Sequence, residues 1–155
     1  MAAAEVMRAF AQVAQGDPNL SLEDRLGAAG WGESRLGAAG LHRRWQIGEI
    51  VGTQYGRGSS AFLEVTIELA MPDFDDPGSE ELFFEKFEGR FAENLAVVTA
   101  EFGHPTFVGS YGDEGFPEGL DAVSTAQWPL LAGVMAVHLK HEDQGVPFRI
   151  AATVT

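Results

Sequence analysis

The sequence predicts an α+β domain. One mainly antiparallel sheet of four to five strands should carry one long helix and two short N-terminal helices on a single face. Three patterns point there. Phe62 to Met71 alternates apolar and polar residues, with Leu63, Val65, Ile67, Leu69 and Met71 on the core side and Glu64, Thr66 and Glu68 toward water. Phe84, Phe87, Phe91, Leu95, Val98 and Phe102 step by three and four, as one stripe of a long helix does. Phe148, Ile150, Ala152 and Val154 alternate again at period two.

The remaining elements follow from local chemistry. Val6, Phe10 and Val13 sit at helical spacing over residues 3–14, and Gly16 and Pro18 stop that helix. Ser21 before Leu22-Glu23-Asp24 is an N-cap with acids in the first turn, opening a short helix that Gly30 ends. Arg25-Leu26-Gly27-Ala28-Ala29-Gly30 recurs as Arg35-Leu36-Gly37-Ala38-Ala39-Gly40. Two copies of so short a unit cannot build a solenoid, and the second reads as a loop or ragged strand. Arg43 to Thr53 reads as one strand, joined through the flexible stretch Tyr55 to Ser60 to the strand Phe62–Met71.

Asp76 can cap the long helix, Pro77 suits its first position, and Glu80 and Glu81 favour its positive end. Gly103 and Pro105 end it near Phe102. Thr106 to Tyr111 adds a short strand, and Gly112 to Gly119 is an exposed acidic loop. Trp128-Pro129 opens a long strand in which Leu131, Met135, Val137 and Leu139 share a face opposite Val134, Ala136 and His138. Glu142 to Gly145 turns the chain into the last strand. Strands arriving in adjacent pairs favour antiparallel ribbons over a parallel βαβ arrangement.

With 155 residues, the chain fits one domain with a sizeable core. It has no cysteine, so disulfides and thiolate zinc sites are excluded. The start has no basic segment followed by an apolar run, and no stretch reaches the roughly 18 apolar residues of a membrane span. A cytoplasmic protein is expected. Twenty-three acidic residues against ten basic give a formal net charge of −13, which repels nucleic acid and attracts a basic protein.

Catalytic and cofactor signatures do not assemble. Gly52 to Ser60 lacks the lysine of a phosphate loop and joins two strands. There is no Gly-x-Ser-x-Gly elbow. His138 and His141 lie near Glu142 and Asp143, but residues three apart on a strand face opposite ways, so a solvated turn is the simpler reading than a metal site. His104 reads as a helix-terminus residue. Asp73, Asp75 and Asp76 lack the glycine and distal glutamate of a calcium loop, so capping and turn chemistry account for them. No cofactor or metal is expected, and a catalytic role has no residue set behind it. The broad alternatives to a binding protein are an acidic secretion-type chaperone, which would use an apolar groove and a dimer, and a small enzyme.

Leu26-Gly27 followed by Trp31, the strand pair from Trp45 to Met71, the Phe-rich helix ending Glu101-Phe102-Gly103-His104-Pro105, and Trp128 leading into a terminal hairpin form a layout. It resembles small actinobacterial proteins of uncharacterised families regarded as immunity proteins of polymorphic toxin systems. That resemblance implies a cytosolic protein that binds a partner. The expectation taken from it is a non-enzymatic protein, monomeric or homodimeric, whose partner is a protein such as a basic toxin domain. It carries over no site residue. Charge supplies the candidate surface: Asp73, Asp75, Asp76, Asp113, Glu114, Glu118, Glu142 and Asp143.

Overall fold

The structure is a computed structural model, and it describes residues 1–34, 42–73, 75–141 and 146–155. Helix α1 (Ala3–Ala14) and helix α2 (Leu22–Ala28) come first. Strands β1 (Gly32–Ser34), β2 (Arg43–Ile47), β3 (Ile50–Tyr55) and β4 (Phe62–Ala70) follow. The long helix α3 (Ser79–Phe102) then leads to β5 (Phe107–Ser110), β6 (Ser124–Pro129), β7 (Val134–Lys140) and β8 (Phe148–Val154). The strands form one sheet in the order β1-β2-β3-β4-β8-β7-β6-β5, with every pairing antiparallel. Two four-stranded meanders therefore meet at β4 and β8, and α3 is the link between them.

The α+β class and the single antiparallel sheet hold, but the sheet has eight strands, not four to five. The expected strand Arg43–Thr53 is a hairpin, broken at Gly48-Glu49, where Gly48 takes φ +56°. The expected long strand from Trp128 is also two. Pro129 ends β6, the chain reverses through Leu130–Gly133, and Leu131 is 72% exposed instead of facing the core. Strands of three to six residues, such as β1, β2 and β6, carry too few alternations to declare themselves in a sequence.

Leu69 and Met71 were expected inside and are exposed. The cause is a bulge in β4. Thr66 pairs with Ala151, but Glu68 pairs with Ile150, so Ile67 is an extra residue. One inserted residue moves every later side chain to the other face. Glu68 thereby reaches α3, where Arg90 and Asn94 bond to its carboxylate.

Helices α1 and α3 pack beside each other over β7 and β8, and α2 packs on α1. Beneath them lie Leu63, Val65, Met135, Val137, Leu139, Phe148, Ile150, Ala152 and Val154, all essentially solvent-free. Phe148 sits at the centre, with ring centroids of Phe83, Phe84 and Phe87 within 5.7–6.3 Å. Of the expected stripe on α3, Phe87, Phe91 and Val98 are buried, and Phe84, Leu95 and Phe102 are partly so.

Arg25, from the first copy of the repeat, is buried and donates to the carbonyls of Val13, Leu20 and Thr155. It thus ties α2 to the end of α1 and to the last residue after β8. The second copy and Leu41 lie outside the described residues. Asp76 is not the N-cap of α3. The helix begins at Ser79 after Gly78, and Asp76 Oδ1 accepts from the Gly78 amide one turn earlier. Among the described residues no helix is long and apolar enough to cross a membrane.

Candidate functional site

Register decides where the loops emerge. Ala70 at the end of β4 pairs with Phe148 at the start of β8. Lys140 at the end of β7 pairs with Arg149, and Ser124 at the start of β6 pairs with Leu139. The connection after β4 and the connection between β5 and β6, which carry Asp73, Asp75 and Asp76 and Asp113, Glu114 and Glu118, therefore leave from one end of the sheet, though they are distant in sequence.

Asp73, Asp75 and Asp76 sit in the connection to α3, and all three are exposed. Asp73 Oδ1 accepts from the Asp75 amide, and the Asp73 amide donates to Ser79 Oγ. With the Asp76 contact, these are turn-forming bonds, as the turn reading expected, although Asp76 does not cap α3. Asp113 Oδ2 accepts from the Ser110 amide at 2.7 Å and closes the turn after β5. Glu114 and Glu118 are exposed in the same loop, with Asp121 beyond them. Glu142 and Asp143 lie outside the described residues. Glu80 stands 3.6 Å from His141 Nε2, which joins the start of α3 to the end of β7.

Much of the basic charge is taken up in ion pairs. Arg8 pairs with Glu101, Arg43 with Glu23 and Glu33, and Arg90 with Glu68 and Glu93.

The sheet's second face, away from the helices, holds what the sequence reading missed. Glu64 was expected in water and is buried. Its carboxylate accepts from Lys140 Nζ at 2.7 Å and from Arg149 at 2.5 Å. Burial opposes its ionisation, but the two cations prevail and hold the carboxyl below its usual range. His138 was read as part of a solvated turn, yet it is buried between two threonines. Its Nδ1 lies 2.8 Å from Thr125 Oγ1, and its Nε2 lies 2.9 Å from Thr153 Oγ1. Burial, reinforced by the Lys140 charge, pushes its pKa down to about 4, so the ring is neutral at pH 7.

His141 does not join it. Its ring stacks on Phe148, with centroids 3.9 Å apart. No cluster of metal-ligating side chains occurs among the described residues. The available signal was placement. Lys140 and Arg149 stand directly opposite each other on adjacent strands otherwise rich in apolar residues, and such cations need a buried acid.

A cavity of about 350 Å³ opens on this face. Phe62, Val134 and Ala136 form its walls, and the β5–β6 loop lays Leu120 across it. His138 and Thr153 supply polar atoms at its base.

No known family matches the chain, nor does any curated protein or solved structure.

Proposed function

We propose that this chain is a non-enzymatic, protein-binding protein. It captures a basic partner on the acidic end of its sheet, and the partner it fits best is a toxin domain that it neutralises. The supporting observation is that the connection carrying Asp73, Asp75 and Asp76 and the one carrying Asp113, Glu114 and Glu118 leave the sheet at the same end, with all six residues exposed, while many of the basic residues are already paired. Complementary charge accelerates encounter and penalises wrong partners. The protein works in the cytoplasm without a cofactor, and neither nucleic acid nor membrane is its target.

The test is a pull-down from the native host at low and at high salt. The bait is the wild-type chain beside a variant with Asp75→Asn, Glu114→Gln and Glu118→Gln. These three residues are exposed, and their side chains form no hydrogen bond within the described residues, so the fold should persist. A basic partner retained by wild type, lost by the variant and weakened by salt supports the reading. A partner held equally by both baits at either salt concentration overturns it, and points to a chaperone-like apolar groove.

A further inference from the structure

The cavity lies on the second face of the sheet, under the loop that also carries Asp113, Glu114 and Glu118. We infer that it is a binding site for a small, uncharged, mainly apolar molecule carrying a carbonyl oxygen, with Thr153 Oγ1 donating to that oxygen. Three features carry this.

The first is size and wall chemistry. A space of about 350 Å³ lies within the range of small-molecule sites, and Phe62, Leu120, Val134 and Ala136 make most of its surface apolar; Asp121, Gln127 and Lys140 also border it, and Lys140 is paired with Glu64. Apolar walls hold water poorly and reward an apolar guest.

The second is the proton inventory at its base. Thr125 is fully buried, and His138 Nδ1 is the one partner of its hydroxyl among the described residues. The Thr125 O–H therefore donates to Nδ1, because a buried hydroxyl proton without an acceptor is costly. A neutral imidazole that accepts at Nδ1 carries its proton on Nε2. Nε2–H then donates to Thr153 Oγ1, 2.9 Å away. Thr153 has used one lone pair and kept its own proton, and it lines the cavity. The histidine's role is to hold Thr153 as a donor aimed at a guest.

The third is the cover. Gly119, at φ +74°, lies in the stretch of the β5–β6 loop that crosses the cavity. The lid is thus a loop, anchored at its start by Asp113, and a guest can enter by its displacement without unpairing a strand.

The test uses the neutral naphthyl ketone fluorophore Prodan with the full chain. Wild type should bind it saturably with a blue-shifted emission. The same naphthalene without its ketone should bind roughly three- to tenfold more weakly, the worth of one hydrogen bond. Val134→Trp places a large side chain at the start of β7, in the cavity wall, and should weaken Prodan binding at least tenfold. Thr153→Val should erase the preference for the ketone. Asp75→Asn with Glu114→Gln should leave Prodan binding unchanged, so that this result stands apart from partner capture. Failure of wild type to bind, or a Val134→Trp variant that melts as wild type does and binds Prodan equally well, overturns the site. An unchanged ketone preference in Thr153→Val overturns the donor assignment.

Discussion

The two faces of β7 and β8 are both largely closed to water, and they are closed by different means. On the helix side of β7 and β8, Met135, Leu139, Phe148, Ile150 and Val154 fill space against the phenylalanines of α3 and the apolar side of α1. On the other side the same strands present His138, Lys140, Arg149 and Thr153, satisfied by Thr125 and Glu64. The first face is held by volume and the second by pairing. A packed apolar face loses stability in proportion to the space vacated. A paired polar face is stable only as a complete set, since one missing partner leaves a buried charge or donor alone. That difference also explains why the cavity lies on the second face. Matching polar groups fixes their positions without requiring that all the space between them be filled.

Mutations can break this contrast. The largest effect is expected from Phe148→Ala, which empties the centre of the helix side and should cost about 3–5 kcal/mol in denaturant unfolding. Phe148→Leu should cost less, because volume is what counts there. Next is Glu64→Gln, which conserves volume but leaves Lys140 and Arg149 without their carboxylate. A loss of about 3 kcal/mol is expected. If Glu64→Gln proved nearly neutral, the second face would be an ordinary solvated surface.

Acid sharpens the contrast further. The pKa of His138 lies at about 4 in the folded chain against 6.5 for a free histidine. Above pH 6.5 both states are neutral there, and the group favours neither. As pH falls below 6.5 the unfolded chain takes up the proton first, so stability drops by about 1.4 kcal/mol per pH unit until the folded pKa is reached. The carboxyl of Glu64 is shifted downward, so its contribution is present above 4.5 and fades only below that. The slope between pH 6 and pH 5 therefore reports His138, and it should flatten in His138→Gln, as urea titrations at each pH would show. The smallest effect belongs to the surface. Arg8→Ala removes the exposed pair with Glu101 between α1 and α3, and it should cost under about 1 kcal/mol.

Much of the architecture can be read along the chain. Helix α1, the short α2 with its Ser21 cap, and α3 with its Phe87, Phe91 and Val98 stripe carry enough turns for a 3.6-residue period to repeat. The same holds for the early part of β4 and for β8. The acidic segments were likewise plain from composition, and with them the turn-forming work of Asp73 and Asp76. The resemblance to immunity proteins suggested a use for those segments, and that use is a proposal with its own test.

The sequence by itself determined which stretches are helical, which alternate, and that negative charge dominates, because these depend on neighbours within one turn or one strand. Tertiary structure decided the rest. It set the bulge at Ile67 that turned Leu69 outward, the register that gathered distant acidic loops at one end, and the burial of Glu64 between Lys140 and Arg149. Those outcomes depend on partners more than seventy residues away, and no local period carries information about them.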